Sequence, residues 1–77
     1  MPEINVVAPF AGTVIAVWHD DQDSVMAGQA LVVLEAMKME HAVRAPHDGT
    51  VAEIRVSAGQ AVDQGAVLVV LEEAPDE

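Results

Sequence analysis

The sequence contains one lysine, Lys38, in the stretch EAMKME at residues 35–40. A lysine amine can act as a cation or as a nucleophile that forms an amide bond. Taken alone, an exposed lysine is an ordinary surface charge. Here Met37 and Met39 flank the lysine, and Glu35 and Glu40 frame the three residues. The isolation of this amine between two apolar side chains makes Lys38 the first candidate for a functional group.

No other set of residues has the spacing of a reactive site. The three histidines, His19, His41 and His47, are scattered and have no spacing typical of zinc ligands. The sequence has no glycine-rich phosphate loop and no nucleophile–base motif. These observations predict no metal site and no catalytic residues, and they disfavour a small enzyme.

Composition limits the classes of function. The chain has 77 residues, 52% of them hydrophobic, and a formal net charge of −10. This length allows one domain, and the acidic surface disfavours nucleic acid and anionic membranes as partners. No apolar run approaches the roughly 20 residues that span a bilayer. Cysteine is absent and residues 1–7 lack a basic signal-peptide region, which favours the cytoplasm or, in a eukaryote, the mitochondrial matrix.

The sequence repeats itself without a gap. The stretch APFAGTV at residues 8–14 returns as APHDGTV at 45–51, an offset of 37 (45 − 8). AGQALVVLE at 27–35 returns as QGAVLVVLE at 64–72 with the same offset. Because neither half can bury its apolar face alone, the halves are expected to pack together about an approximate twofold axis.

The pattern within each half predicts strands. Short Val-rich runs alternate with Gly- and Pro-containing turns, and helical spacing is missing. We predict an all-β fold of about eight short strands, a small flattened sandwich or barrel. The expected organisation is a single domain over residues 1–77, with repeats 1–37 and 38–74 and a short acidic tail at 73–77. The glycines of the turns, including Gly12 and Gly49, are expected where the chain reverses.

Lys38 falls in a predicted tight hairpin. Ala30–Ala36 and residues 40–45 are predicted strands, and a short reversal centred on Met37-Lys38 joins them. Such turns need positive φ and favour Gly, Asn or Asp, so Met-Lys indicates a strained or functional site. Met37 and Met39 would then be exposed, and Glu35 would face Glu40 across the ladder. Because residue 75 corresponds to Lys38 in the repeat, the chain ends should lie at the opposite end of the molecule.

These residues carry a resemblance to a known family. Glu35-Ala36-Met37-Lys38-Met39 is similar to the biotinylation motif of biotinyl (biotin carboxyl carrier) domains. APFAGTV and RAPHDGTV stand where that family has its turns, and the likeness extends over residues 4–72. It is most similar to the carboxy-terminal biotinyl domain of acyl-CoA carboxylase alpha subunits, of the methylcrotonyl- and geranyl-CoA types. The resemblance implies a barrel-sandwich hybrid of two four-stranded antiparallel sheets.

The resemblance also implies a function and partners. A biotin protein ligase would join biotin to Lys38 through an amide, and Glu35, Ala36, Met37, Met39 and Glu40 would form the recognition motif. The modified lysine would then shuttle a carboxyl group between a biotin carboxylase site and a carboxyltransferase site. The domain would be a non-catalytic carrier, monomeric when isolated. Because lysine is an ammonium at neutral pH and no base is evident nearby, the ligase would have to activate the amine.

Two departures from the family pattern affect the expected shape. The chain between Trp18 and Val25 is too short for the thumb loop of the bacterial acetyl-CoA carboxylase carrier, so a thumbless domain is expected. Gln22 replaces a usual glycine, so residues 19–24 are expected to depart from the family shape if this position needs positive φ. Phe10 and Trp18 are interpreted as local packing residues.

Two alternatives share the predicted fold. A lipoyl domain usually has aspartate before its lysine and a small residue after it, whereas Lys38 lies between methionines. An unmodified interaction module would have no use for an isolated lysine in this motif. Biotin therefore remains the favoured modification.

Overall fold

The computed structural model describes residues 2–73 and contains eight strands in that range. The strands are β1 Glu3–Val7, β2 Gly12–Val17, β3 Ser24–Val25, β4 Ala30–Ala36, β5 Met39–Arg44, β6 Gly49–Ile54, β7 Ala61–Val62 and β8 Val67–Glu73. No helix occurs among these residues, so none of them forms a helix that could span a membrane. Of the predicted acidic tail, residues 74–77 lie outside the described residues.

The strands form two four-stranded antiparallel sheets, which confirms the predicted fold class. One sheet has the order β1-β8-β6-β3 and the other has the order β5-β4-β2-β7. Each sheet combines strands from both halves of the sequence. The connection from β2 to β3 spans only residues 18–23, so the domain has no thumb there. The two halves are therefore interlocked, and neither sheet could form from one repeat alone.

Hydrogen bonds reproduce the 37-residue repeat in space. Gly28 N donates to Ala45 O over 2.8 Å, and Gly65 N donates to Ala8 O over the same distance. The strand irregularities also correspond, since the β2–β4 register shifts between Val14 and Ala16 and the β6–β8 register shifts between Val51 and Glu53. The internal repeat of the sequence is thus a repeat of backbone geometry.

The core lies between the two sheets and is aliphatic. Its most deeply buried members occur as repeat-related pairs from opposite sheets: Val14 with Val51, Leu31 with Leu68, Val32 with Val69, and Leu34 with Leu71. Fully burying such a side chain stabilises the fold by roughly 1.5–3 kcal/mol. Branched aliphatic side chains suit the pleated strand surface, which explains how a thin core forms with few aromatic residues.

The ends of the described chain lie together, far from Lys38. Glu73 N donates to Pro2 O over 3.0 Å, and Glu73 pairs with Gly49 at the start of β6. Asp48, next to Gly49, accepts a hydrogen bond from Ala27 N, three residues before β4 begins. The seven residues of β4 then run away from this end for roughly 20 Å, along a molecule that measures 42 × 18 × 17 Å.

Gly12 and Gly49 correct one sequence-based interpretation. Neither residue has positive φ, and both lie within strands rather than at a reversal. A Cβ atom on Gly12 would come within 2.6 Å of the Glu35 carbonyl oxygen, and one on Gly49 would collide with the Glu72 carbonyl oxygen. Glycine is needed here because two strands approach too closely for a side chain.

The loop with Gln22 keeps the backbone of its counterpart in the second half. Gln22 has φ 75° and its repeat partner Gly59 has φ 95°. Gln22 N donates to Val51 O over 2.7 Å, as Gly59 N donates to Val14 O over 2.6 Å. The backbone at Gln22 therefore has the geometry of the second half, and the departure of residues 19–24 from the family shape stays a prediction. These bonds hold a left-handed glutamine in place despite its steric cost.

The two aromatic residues have different environments. Phe10 is partly buried and packs against the core, as expected. Trp18 is 63% exposed, so its interpretation as a packing residue was wrong. Its backbone N–H donates a hydrogen bond to Leu31 O over 2.9 Å where β2 ends, so the backbone is held although the side chain is exposed.

Candidate functional site

The Lys38 hairpin is a two-residue turn between β4 and β5. Ala36 pairs with Met39 and Glu35 pairs with Glu40 in the antiparallel register, which confirms both the predicted turn and the facing glutamates. Met37 has φ 54° and Lys38 has φ 65°. Two successive left-handed residues are typical of a type I′ turn, which suits the twist of the strands. Neither residue is one that this turn normally selects.

The side chains at the tip project into solvent. Met37 is 94% exposed, Met39 is 61% exposed, and Lys38 is also exposed. The prediction that these methionines lie outside the core is therefore confirmed. Exposing two large apolar side chains next to each other has no benefit for folding, since each loses the favourable transfer from water. Their position instead suits a flexible apolar contact surface.

The Lys38 amine is free among the described residues. Within residues 2–73 it takes part in no ion pair and no side-chain hydrogen bond. Glu35 and Glu40 lie on neighbouring strands, yet neither carboxylate is within ion-pair distance of the ammonium. The amine can consequently be reached from solvent without breaking any interaction of the fold.

The base of the hairpin is held firmly. Gly12 approaches the Glu35 backbone closely, and Thr13 pairs with Glu35 in the β2–β4 ladder. The Phe10 and His41 rings form an edge-to-face contact, with centroids 4.7 Å apart and an interplanar angle of 70°. The tip therefore projects from a packed base, and the sequence reasoning missed the part played by Gly12 and by the ring pair. The repeated Gly-Thr-Val was the available signal for Gly12.

The histidines do not converge. His19 lies 3.5 Å from Asp23, His47 lies 3.8 Å from Glu73, and His41 contacts Phe10. Among residues 2–73, no group of three or more His, Cys, Asp or Glu side chains could hold a metal ion. The only arrangement in this range that resembles a functional site is therefore the Lys38 hairpin.

The family model described as "Biotin-requiring enzyme" matches residues 4–71. The chain belongs to the biotin-requiring enzyme family. That match contains the hairpin and nearly all of both sheets and of both repeats. As a biotin-requiring enzyme domain the chain is a biotinyl carrier domain, and its cofactor is covalently attached biotin. The resemblance drawn from the sequence motifs is confirmed.

Two kinds of protein are similar in sequence to this chain: a carboxylase subunit and a carrier protein. One is the mitochondrial methylcrotonoyl-CoA carboxylase subunit alpha of Arabidopsis thaliana, 46% identical over 67 residues that cover 87% of this chain and 9% of the relative. The other is the biotin carboxyl carrier protein of acetyl-CoA carboxylase from Solanum lycopersicum, 44% identical over 69 residues that cover 90% of this chain and 99% of the relative. The chain thus spans less than a tenth of the carboxylase subunit.

A solved structure shows the same fold. A single-chain, multi-domain long-chain acyl-CoA carboxylase matches 94% of this chain and 7% of its own, with a TM-score of 0.90 and 39% identity. The two-sheet arrangement is therefore that of a segment within a much larger carboxylase chain.

The residues of the hairpin fit a covalently held biotin. An amide bond to a lysine requires an accessible primary amine, and Lys38 supplies one that is exposed and unpaired among residues 2–73. It is also the only lysine in the sequence. The described residues place no side-chain base within hydrogen-bonding distance of this amine, so the hairpin presents the amine without a neighbouring group among residues 2–73 to take its proton.

Proposed function

We propose that Lys38 is the biotin attachment site and that this domain serves as the carboxyl carrier of a biotin-dependent acyl-CoA carboxylase. The observation that carries this proposal is the free amine of Lys38 on a left-handed Met-Lys turn, at the end of the molecule opposite Pro2 and Glu73. A carrier needs its loaded group far from the point where it is tethered, and this arrangement meets that need.

Attachment is an acyl transfer to Lys38 Nζ. The unprotonated amine attacks the activated carboxyl carbon of biotin, the activating group leaves, and the nitrogen loses a proton to become a neutral amide. Lysine is mostly ammonium at neutral pH, so the proton must be removed in the ligase site. The contribution of this domain is to present the amine without competing ion pairs.

The flanking residues supply the surface that a biotin protein ligase would contact. We assign this role to Glu35, Ala36, Met37, Met39 and Glu40. The glutamates alone do not distinguish the site, because Glu3 and Glu72 form the same facing pair at the opposite end, where no lysine is present. The exposed methionines on either side of Lys38 have no such counterpart within the described residues, and they therefore carry most of the distinction.

When bound, biotin supplies a ring nitrogen that accepts and gives up a carboxyl group. The domain performs no bond-making step of its own, and a tethered carrier replaces diffusion with a high effective concentration at both sites. We infer that the partners are a biotin carboxylase and a carboxyltransferase, and that the isolated domain is monomeric. The cysteine-free sequence suits the cytoplasm or the mitochondrial matrix.

The test is biotinylation in the presence of a biotin protein ligase, followed by intact mass and streptavidin binding. We expect one biotin per chain and none in Lys38→Arg, because arginine keeps the charge but is not a practical acyl acceptor. Biotin on the Lys38→Arg chain would refute the assignment of the site.

A relocated lysine is the matched control. Lys38→Arg combined with Arg55→Lys restores one lysine, in the segment that follows β6. This chain should remain unmodified, since its lysine lacks the methionine-flanked turn. A lipoate ligase should leave the parent chain unmodified, and lipoylation of Lys38 would favour the lipoyl alternative instead.

A further inference from the structure

Three methionines of the described chain expose their thioethers, and two of them lie beside Lys38. Met37 is 94% exposed, Met39 is 61% exposed and Met26 is 64% exposed. Met26 begins the turn at residues 26–29, which leads into the start of β4 and so lies at the end away from the hairpin. The molecule thus carries two reactive sulfurs at the candidate site and one equally exposed sulfur elsewhere.

Exposure makes a methionine open to oxidation. Hydroperoxides convert the flexible apolar thioether into a polar sulfoxide, and the change can be reversed by methionine sulfoxide reductases. The large aliphatic side chains of the core are protected between the sheets. Met37 and Met39 are not, and their surroundings contain no cysteine that would react first.

We propose that Met37 and Met39 are redox-sensitive modification sites that control whether Lys38 accepts biotin. In this step hydrogen peroxide transfers one oxygen atom to the methionine sulfur: the O–O bond breaks, an S=O bond forms, and the other oxygen leaves as water. The sulfur is oxidised and the peroxide is reduced. The inference rests on the proposed biotinylation of Lys38.

The fold should tolerate this oxidation while the site does not. The backbone of the turn is set by the β4–β5 ladder and by the approach of Gly12, and neither involves a methionine side chain. A ligase that covers the tip, however, would have to bury two polar sulfoxides in place of two thioethers. From the transfer free energy of one methionine side chain, we expect biotinylation to slow by about tenfold or more.

Met26 provides the control within the same chain. Its exposure matches that of Met39, so peroxide should oxidise it at a comparable rate. Its backbone N–H is bonded to Gln29 Oε1 over 2.9 Å, in a turn at the end of the molecule where β4 begins. Oxidation of Met26 should therefore leave the reaction at Lys38 unchanged.

The experiment treats the apo domain with hydrogen peroxide, measures the sulfoxide at each methionine by peptide mass spectrometry, and then measures the rate of biotinylation by a biotin protein ligase. Met26→Leu, Met37→Leu and Met39→Leu each remove one sulfur. For each variant, the biotinylation rate of the oxidised chain is divided by the rate of the same chain without peroxide. Any effect that leucine itself has on ligase recognition is present in both rates and cancels in the ratio. Circular dichroism checks that the oxidised chain stays folded.

We expect the ratio to fall by about tenfold in the parent chain and in Met26→Leu. It should stay near one in the double variant Met37→Leu, Met39→Leu, and reductase treatment should restore the parent rate. An unchanged rate in a fully oxidised, folded parent chain would overturn the inference and leave the proposed function standing. An untreated chain that accepts no biotin would overturn both.

Discussion

At each end of the molecule two antiparallel strands pair in the same way, but only one end has a turn that joins the two strands. At one end Glu35 pairs with Glu40 and Ala36 with Met39, and Met37-Lys38 joins the strands. At the other end Glu72 pairs with Glu3, and Glu73 N bonds Pro2 O, with no turn between them. The first end presents a lysine and the second presents the ends of the described chain.

This comparison separates requirements of the fold from those of function. What both ends share, including the facing glutamates and the closely approached glycines, belongs to the repeated architecture. What only one end has, a methionine-flanked lysine in a left-handed turn, is not required by the β-sandwich. Gly12 corresponds to Gly49 and Gln22 to Gly59 in the repeat, so a substitution at one member of each pair has its reference in the other half.

Among the substitutions at repeat-related positions, adding a methyl group at either close approach should lower the stability most. Gly12→Ala and Gly49→Ala each place a Cβ against a backbone carbonyl, of Glu35 and of Glu72 respectively. We expect each to lower the free energy of unfolding by about 1–3 kcal/mol, as in other overpacked sites. Urea denaturation measures this loss.

The two variants should differ in function. Gly12→Ala displaces the base of the Lys38 hairpin, so biotinylation of the folded fraction should slow. Gly49→Ala acts at the end that carries Pro2 and Glu73, and its folded fraction should react at the parent rate. Equal rates in the two variants would show that the position of the hairpin base does not matter for acceptance.

Exchanging Gln22 and Gly59, the repeat-related residues with positive φ, should change the free energy of unfolding by a smaller amount. Gln22→Gly removes the steric cost of φ 75° but adds entropy to the unfolded chain, and we expect a net stabilisation of about 0.5–1 kcal/mol. Gly59→Gln should destabilise by a similar amount. Thermal unfolding of both single variants and of the double exchange checks this, and the double exchange should be nearly neutral. A lower melting temperature for Gln22→Gly would contradict the proposed strain.

Replacing both tip methionines should have the smallest effect on stability. Met37→Ala with Met39→Ala removes exposed side chains and keeps a Cβ at the left-handed position, so the free energy of unfolding should change by less than about 0.5 kcal/mol. Leu34→Ala is the buried reference and should cost about 2–5 kcal/mol. A loss of similar size in the methionine variant would mean that these side chains stabilise the core.

Local rules of the sequence predicted most of the fold. The gapless repeat, the Val-rich runs and the turn residues together indicate eight strands in two related halves, and the Met-Lys turn follows from the strands on either side of it. The positive φ of Gln22 could be predicted because the second half has Gly59 at that position. Each of these features depends on residues nearby in the sequence or on the corresponding position of the other repeat.

Other features depend on residues distant in sequence. Gly12 is needed because of the Glu35 carbonyl, and Trp18 is exposed because none of the eight described strands covers it. Neither fact can be read from the neighbouring residues in the sequence. The motif around Lys38 indicates the attachment chemistry. The exposure of Met37 and Met39 followed from the predicted hairpin, whereas the lack of an ion-pair partner for the Lys38 amine among residues 2–73 could be seen only in the structure.

The hydrogen bond from Glu73 N to Pro2 O places these two residues next to each other, as Ala36 and Met39 are placed in the Lys38 hairpin. If Pro2 and Glu73 were joined by two residues, the eight strands would form a closed ring with two equivalent hairpins. The natural chain is that ring cut at one hairpin and left intact at the other. A single duplicated pair of strands thus forms the closed Met37-Lys38 hairpin at one end and the open pair of Pro2 and Glu73 at the other.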